Sequence, residues 1–537
     1  MTVAPSVPDQ TVTDLAPTRV WLNVRWETLA IAASMTAAAI LRIIAVFHYR
    51  IDSDEPQHLH MVWTWVSGLL PYRDVFDNHM PLFHILFAPL LRVVGERADA
   101  LIAMRLAMLP LYAAMIAITF RIATRCYPRR VAIWSTVIAA LFPLFLLCSV
   151  EFRTDNLWTV FWLGSVAILV SAPLTTSRVA MSGFLLGLAA AVSAKTTLLL
   201  LSIAVGTVFL PRRRMRYIAA FLAAFAIPPA AIAVYFAARG AWDPFAYGVI
   251  THNVVHRTHV ARLFLFPVLL ILIAMLARRV ADTPQRFFLF VTTHFYGAAL
   301  YCLWPLVEHE HWLPYFPLAA ITLVPLFFTY RRVVVIALAE IVLVTATGRL
   351  HRDETRDGLL VIEQTLQLTS PGEFVMDLKG ETVFRPRAFY YVLEPMTKRR
   401  IHAGKIADTI VSDILRTRTM LIGPDLYGYP RAARRFLQKN FVFIGAVRVP
   451  GRILREMSFQ VDVPAEYAIV GRSDAFDGAL DGRPYDGARH LAAGIHTISP
   501  MPSGESYALL WARAAERGFT PFGLVRAPRC NPRRRRS

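Results

Sequence analysis

The sequence predicts a polytopic α-helical membrane protein with a smaller, extracytoplasmic C-terminal domain of α/β plus β structure. Of the 537 residues, 56% are hydrophobic and 18% are charged, and the mean hydropathy is +0.46. Apolar stretches of span length recur up to residue 347, and the composition beyond that point is typical of a water-soluble domain. These observations argue against a wholly water-soluble enzyme.

Eleven apolar stretches are long enough, or nearly so, to cross about 30 Å of hydrocarbon. They cover residues 27–47, 101–120, 131–149, 157–172, 180–194, 196–210, 217–237, 263–277, 287–306, 312–328 and 333–347. Residues 180–210 are too many for one ordinary span, and Lys195 lies near their middle. We therefore expect two short helices that meet near the outer face at Lys195.

Arginines between the stretches indicate which loops face the cytoplasm. They lie in alternate loops, at residues 121–130, 178, 212–216, 278–286 and 331–332. These loops are predicted to be cytoplasmic, together with the tail of residues 1–26, which lacks the pattern of a signal peptide. The other loops, including the long loop 48–100, are then extracytoplasmic. We expect a multi-pass protein of the bacterial inner (plasma) membrane.

The formal net charge of +20 comes largely from these loop arginines. We therefore expect no nucleic-acid partner, and the basic tail of residues 526–537 is more simply a disordered end. The four cysteines form no CxxC pair, so neither a disulfide framework nor a zinc knuckle is indicated.

The C-terminal part divides into two predicted modules. Residues 348–458 alternate short apolar runs with helix-compatible stretches, which predicts an α/β domain. Residues 459–525 alternate β-prone runs with turns marked by Gly and Pro, which predicts a β-sandwich-like module. Neither contains a catalytic motif, so we expect them to shape or recognise an extracytoplasmic substrate.

The loop 48–100 begins with the adjacent carboxylates Asp54 and Glu55, directly after the first span. Adjacent side chains on a helix or turn point in different directions, which indicates separate roles. Asp54 is a candidate base for an acceptor hydroxyl, and Glu55 then orients its neighbours or caps the following helix. The alternative is that the pair only caps a helix N-terminus.

A short turn in the same loop re-enters an apolar segment. It brings together an arginine, two carboxylates, an amide and a histidine, namely Arg73, Asp74, Asp77, Asn78 and His79. Such a set suits a phosphate or a metal ion, and a solvated turn at the membrane surface is the alternative.

Six motifs follow one another on the loops predicted to be extracytoplasmic. They are the Asp54-Glu55 pair, Gly-x-x-Pro-Tyr-x-Asp at 68–74, His-x-Pro-Leu at 79–82, the carboxylate-bearing stretch 151–156, the Gly-rich segment 183–195 ending in Lys, and His-x-x-x-Tyr at 311–315. In order and sidedness they resemble the GT-C glycosyltransferases of the dolichyl-phosphate-mannose protein mannosyltransferase type, which include the bacterial lipid A aminoarabinose transferases. The resemblance covers residues 27–347.

The resemblance implies a GT-C fold and a sugar donor linked to polyprenyl phosphate. In such a site Asp54 would be the base, Glu55 would stand beside it, and Asp155 would assist or hold the acceptor. A salt bridge between Asp155 and its neighbour Arg153 is the alternative.

The departing lipid phosphate needs cationic groups. The candidates are Lys195, Arg153, His79 and Arg73. For Lys195 the alternative is snorkelling to the interface. Asn78 and His79 stand near the place where the aminoarabinose transferases carry Glu followed by Lys.

A late loop offers a possible divalent metal site, because a metal could neutralise the donor phosphate. The candidate ligands are His309, Glu310 and His311, and a hydrogen-bonded interfacial cluster is the alternative. The candidate substrate-binding residues are Asp74, Asp77, Asn78, Tyr315, His256 and Arg257. The last two lie on the loop 242–259, which is expected to act as a lid.

Together these features predict an inverting membrane glycosyltransferase of hexosyl or pentosyl type. Its partners would be a polyprenyl-phosphate sugar donor, the lipid bilayer, and an extracytoplasmic lipid, glycan or protein acceptor. The alternative is a transporter or flippase of a lipid-linked or small solute, which favours repeated halves and a site at the midplane. The sequence has no repeated halves, and its ionisable groups collect on one face.

Overall fold

The computed structural model describes residues 18–171, 173–208, 215–254, 260–500 and 506–523. Helices dominate up to residue 348, and strands are concentrated after residue 375. The first helix already begins at Thr18, inside the predicted tail of residues 1–26. The predicted basic tail of residues 526–537 lies outside the described residues.

The helical part consists of apolar helices of span length together with shorter helices between them. Up to residue 150 the helices are α1 (Thr18–His48), α2 (Asp54–Val66), α3 (Leu82–Val94), α4 (Ala100–Leu106), α5 (Met108–Cys126), α6 (Arg129–Leu141) and α7 (Pro143–Cys148). They are followed by α8 (Thr154–Leu169), α9 (Thr176–Val192), α10 (Thr196–Thr207), α11 (Met215–Ala238), α12 (Trp242–Ala246), α13 (Ala261–Val280), α14 (Pro284–Leu303), α15 (Phe316–Leu323) and α16 (Tyr330–Gly348).

Each predicted apolar stretch coincides with a helix or with a pair of helices separated by a short break. Among the described residues, four helical segments are long and apolar enough to cross a membrane: Arg25–His48, Ala100–Cys126, Met215–Ala238 and Ala261–Val280. The chain is therefore a membrane protein. The count of eleven spans stays a prediction, because several of the other apolar helices are shorter.

Helices α9 and α11 approach each other closely because glycines line their contact. A Cβ atom added to Gly183 would lie 2.2 Å from the carbonyl oxygen of Phe221, and one on Gly187 would lie 2.3 Å from that of Phe225. Small residues at this spacing let two helix backbones meet. Helix α9 ends at Val192, and Lys195 follows in the break before α10, as the sequence predicts.

The C-terminal part contains the remaining helices and the strands. The helices are α17 (Arg356–Leu368), α18 (Pro395–His402), α19 (Ile410–Arg416), α20 (Arg431–Asn440) and α21 (Ala512–Glu516). The strands are β1 (Val375–Met376), β2 (Leu421–Ile422), β3 (Phe441–Phe443), β4 (Arg448–Leu454), β5 (Ser458–Val461), β6 (Ala465–Gly471), β7 (Ala479–Leu480), β8 (Arg483–Pro484), β9 (Arg489–Leu491), β10 (Gly494–Ser499) and β11 (Tyr507–Trp511).

These strands form two sheets, and the larger one crosses the predicted module boundary. Its order is β1-β2-β4-β11-β6-β9, with β3 paired to β4, and the smaller sheet has the order β5-β10-β7-β8. Tyr507 of β11 pairs with Leu454 of β4 and with Gly471 of β6. The boundary expected between residues 458 and 459 thus runs through a shared sheet, because β11 returns from the end of the chain to pair between the two modules.

The segment 377–384, which follows β1, packs against α2 of the membrane part; we call it the β1 loop. Nδ1 of His60 on α2 lies 2.5 Å from the carbonyl oxygen of Val383. Gly380 has a φ of +108°, and a Cβ there would lie 3.0 Å from Cβ of His60. Val383 and Phe384 are fully buried in the core of the membrane part. The C-terminal domain is therefore joined to α2 at the start of the loop that carries Asp54.

Candidate active site

Asp54 lies at the first turn of α2 between two cations. Its Oδ1 is 2.5 Å from Nζ of Lys379 on the β1 loop, and its Oδ2 is 3.0 Å from the guanidinium of Arg153. About a fifth of the Asp54 side chain is exposed, at 21%. The predicted base is thus an accessible carboxylate with positive charge on both sides.

Arg153 connects most of the acidic groups of this region. It precedes α8 in an extended conformation, and only 7% of its side chain is exposed. Its guanidinium lies 2.8 Å from Asp52 and 2.5 Å from Glu310, and 3.5 Å from Asp155 and 3.8 Å from Glu151. We call Arg153 and its five acidic neighbours, Asp52, Asp54, Glu151, Asp155 and Glu310, the carboxylate network.

Lys195 joins the network through Asp155. Its ammonium lies 2.6 Å from Oδ1 of Asp155 and 5.0 Å from the centre of the Trp158 ring. The Lys195 side chain is 14% exposed, so this lysine does not extend freely to the interface. Asp155 also faces Arg153 at 3.5 Å, so the salt bridge considered as the alternative for Asp155 is present together with the contact to Lys195.

Glu55 turns away from Asp54 into a fully buried pair with Arg105 of α4. The two side chains are 0% exposed, and Arg105 donates to both carboxylate oxygens at 2.7 and 2.5 Å. Glu55 also accepts hydrogen bonds from the backbone N–H groups of Asp52 and Phe152 at 2.9 Å each. These contacts tie Glu55 to the backbone beside Asp54 and Arg153, and its orienting role stays a prediction.

Burial and neighbouring charge oppose each other in the network. Burial favours neutral Asp54, but Lys379 and Arg153 outweigh it and hold the pKa of this carboxyl well below its ordinary value. At Glu310 burial has the larger effect, and it raises the pKa of this carboxyl to about 6 although the charge of Arg153 lowers it. Burial, with the negative charge of Asp52, also raises the pKa of Glu151 well above its ordinary value. Asp54 and Asp52, each about a fifth exposed, are consequently the accessible carboxylates of the network whose ionised form is favoured.

The turn that carries His79 is organised around the buried carboxylate of Asp77. Asp77 accepts hydrogen bonds from the backbone N–H groups of Asn78 and His79 at 2.8 and 3.1 Å, and its Oδ1 is 2.9 Å from Nδ1 of His79. Asn78 donates to Glu394, at the N-terminus of α18, at 3.0 Å. The turn therefore provides a second connection to the C-terminal domain, and His79 is its partly exposed member at 28%.

Arg73, Asp74 and Tyr315 are further predicted site residues that lie outside the network. Arg73 and Asp74 pair with each other at 2.8 Å on the surface, where 55% of the Arg73 side chain is exposed. The Tyr315 hydroxyl contacts Nδ1 of His294 at 3.1 Å. The predicted residues His256 and Arg257, and with them part of the predicted lid, lie outside the described residues.

The candidate metal ligands do not converge. Glu310 pairs with Arg153, and Nδ1 of His311 accepts a hydrogen bond from the backbone N–H of Glu308 at 3.3 Å. Among the residues that the structure describes, no group of three or more His, Cys, Asp or Glu side chains could hold a metal ion. In the described part of the chain, His309, Glu310 and His311 thus do not form a metal centre.

Three residues of the site, Lys379, Arg105 and Asp52, were not predicted from the sequence. Lys379 and Arg105 lie 325 and 50 residues from their carboxylate partners, so no local spacing indicated either contact. Asp52 carried a usable signal, because it stands two residues before Asp54 and directly beside the predicted site.

No family model matches the sequence, and no curated protein matches it. The chain shares its fold, a helical membrane part followed by a C-terminal sheet domain, with solved structures, so the fold predicted from the sequence is confirmed apart from the number of spans.

The structures that show this are those of ArnT from Cupriavidus metallidurans. In the apo state it superimposes with a TM-score of 0.55 and 10% sequence identity, covering 80% of this chain and 98% of that one. Bound to undecaprenyl phosphate, it gives a TM-score of 0.55 and 11% identity, covering 79% of this chain and 97% of that one. At these identities the likeness establishes a shared fold.

Proposed function

We propose that the protein is a membrane glycosyltransferase that moves a sugar from polyprenyl phosphate to an extracytoplasmic lipid, glycan or protein acceptor. The observation that carries the proposal is the position of Asp54, an accessible ionised carboxylate between Lys379 and Arg153. A base beside cations suits a reaction that removes a proton at one point and creates negative charge next to it. The shared fold with ArnT, which has been seen with bound undecaprenyl phosphate, supports the lipid-linked donor.

The proposed reaction is one displacement at the anomeric carbon. The acceptor hydroxyl loses its proton to Asp54, and its oxygen forms a bond to that carbon from the face opposite the phosphate. The bond between the anomeric carbon and the phosphate oxygen breaks, and its electron pair stays with the phosphate. The products are the inverted glycoside, protonated Asp54 and polyprenyl phosphate, which carries one more negative charge than the donor did.

The residues around Asp54 have separate roles in the proposed reaction. Arg153 and Lys195 would stabilise the charge that develops on the phosphate, and Asp155 would hold Lys195 in place, at 2.6 Å. Glu55 would position Asp54 through its pair with Arg105. His79 remains a candidate for the phosphate, whereas the mutual pair of Arg73 and Asp74 on the surface offers less to it.

We further propose the arrangement in the membrane that this chemistry requires. The eleven apolar segments would span the bacterial inner membrane, with the N-terminus in the cytoplasm and residues 48–100 and 348–525 outside. The carboxylate network would then face the compartment where the acceptor is found.

The direct test is release of polyprenyl phosphate from a panel of radiolabelled polyprenyl-phosphosugars by purified protein in lipid nanodiscs, with membrane extract as acceptor. Asp54→Asn should lower turnover by about 10²- to 10⁴-fold, because the general base is lost. Asp99→Asn is the matched control, since Asp99 is an exposed carboxylate on the same loop. If no donor turned over while vesicles showed transport that did not need Asp54, the transporter would replace this proposal.

A further inference from the structure

Lys379 contacts Asp54 from the C-terminal domain, although the two residues belong to different parts of the molecule. Its ammonium lies 2.5 Å from Oδ1 of Asp54 and 3.2 Å from Oγ of Ser53. The Lys379 side chain is 18% exposed, so it borders the same accessible space as Asp54. The sheet domain thus contributes a charged group to the site.

The backbone of the β1 loop is held firmly around this lysine. The buried carboxylate of Asp377 accepts hydrogen bonds from the N–H groups of Gly380 and Thr382, both at 2.9 Å, and lies 2.9 Å from Nε of Arg387. The N–H of Lys379 itself donates to Glu381 at 2.8 Å. Only the side chain of Lys379 is therefore left to move, and its four-carbon stem can redirect the ammonium.

The two cations on Asp54 differ in how they are held. Arg153 also contacts Asp52 at 2.8 Å and Glu310 at 2.5 Å, so it remains anchored if its contact with Asp54 is lost. Among the described residues, Asp54 is the only carboxylate within 4 Å of the Lys379 ammonium. Lys379 is consequently the cation that another anion can attract away from Asp54.

A carboxylate held by two cations is a weak base, because both cations favour its charged form. The proposed reaction needs Asp54 to accept a proton once both substrates are in place. The donor brings a phosphate anion into the same space, and this anion offers Lys379 a second partner.

We propose that Lys379 is a phosphate-binding residue that leaves Asp54 for the phosphate of the lipid-linked donor. This inference rests on the proposed function and adds to it that the C-terminal domain completes the donor site. Donor binding then removes one cation from Asp54 and strengthens it as a base, so that the base becomes effective when the phosphate is present. The same ammonium remains at the phosphate when the bond to the sugar breaks and the second negative charge forms.

The test is binding of undecaprenyl phosphate to the full-length protein in phosphatidylcholine nanodiscs. Lys379→Met should weaken binding by about tenfold or more, since a charge-assisted hydrogen bond is lost, and Lys379→Arg should restore part of it. Lys405→Met is the control, because Lys405 is an exposed lysine of the same domain. Asp54→Asn should tighten binding, because the competitor for Lys379 is neutralised, and adding Lys379→Met should cancel that gain.

If Lys379 only held the two domains together, the binding and stability measurements would give a different result. Lys379→Met would then lower thermal stability while leaving the affinity for undecaprenyl phosphate unchanged, and Asp54→Asn would not tighten binding. Either result overturns the proposal. If Lys379→Met fails to fold, the comparison of Asp54→Asn with the wild type decides alone. If the predicted binding pattern is found but no phosphosugar is turned over by the wild type, the phosphate site stands and the proposed function fails.

Discussion

The buried pair of Glu55 and Arg105 makes a prediction that separates a structural carboxylate from a catalytic one. Arg105→Met would leave the Glu55 carboxylate fully buried with no cation, and it would remove donors from the backbone carbonyls of Tyr49 and Arg50 at 2.7 Å each. Breaking a buried ion pair by removing one partner costs about 3–5 kcal/mol.

The effect should appear as a lower temperature of unfolding. At about 2 °C per kcal/mol, the value for larger domains, the single variant should unfold about 6–10 °C below the wild type. The assay is thermal unfolding in one fixed detergent, followed by tryptophan fluorescence, with the exposed residue Arg92 changed to Met as the control. The double variant Glu55→Leu with Arg105→Leu should lose less than the sum of the two single changes, because no unpaired charge is left behind.

Turnover per folded molecule completes this test. Glu55→Gln should keep turnover within about tenfold of the wild type, because Glu55 acts through its hold on the Asp54 loop and general acid–base catalysis is worth more than that. The reasoning is refuted if Arg105→Met unfolds at the wild-type temperature. It is refuted equally if Glu55→Gln loses turnover as completely as Asp54→Asn while its unfolding temperature is unchanged.

Two further predictions concern packing and pH. Gly187→Ala should destabilise the protein by about 1–3 kcal/mol in the same unfolding assay, because its Cβ would lie 2.3 Å from a backbone oxygen of α11. Gly164→Ala, whose Cβ would meet only the end of the Leu185 side chain at 3.2 Å, should cost far less, and equal losses would contradict the packing argument. Burial lowers the pKa of His79, but Asp77 outweighs it and raises that pKa above 6.5, so the pair stabilises the fold fully below pH 6.5 and less as pH rises through the raised value. The stability difference between wild type and His79→Gln should therefore be larger at pH 5.5 than at pH 9, and a constant difference would argue against a protonated His79.

The positions of the membrane helices could be predicted from sequence because apolar length decides them. A segment of about 20 apolar residues forms a helix in hydrocarbon whatever its later neighbours are. The break at Lys195 was predictable for the same reason, since an ammonium within a long apolar segment is costly. The placement of Asp54, Arg153 and Lys195 on one side also followed, because they lie at helix ends that share a face.

The contacts within the site could not be predicted, because they depend on how distant elements pack. Nothing near Asp54 in the sequence indicates Lys379, whose approach requires β1, the β1 loop and α2 to be assembled. Arg73 is the opposite case, because the sequence indicated a site residue and the structure places it away from Asp54. It stands within a predicted motif, yet the chain turns it to the surface after Tyr72, which has a φ of +67° and a hydroxyl bonded to the backbone of His79. Backbone conformations of this kind are uncommon for a bulky residue and leave no clear signal in sequence.

The separation of Asp54 and Lys379 along the chain also determines when the two residues can first meet during synthesis. The two residues are 325 positions apart, and at about 5–20 residues per second the ribosome needs about 16–65 s to add the second after the first. During that interval Asp54 and Arg153 are already part of the chain, whereas Lys379 is not. A growing chain thus contains its proposed base well before the lysine contact can form, and the complete site can assemble only after residue 379 has been added.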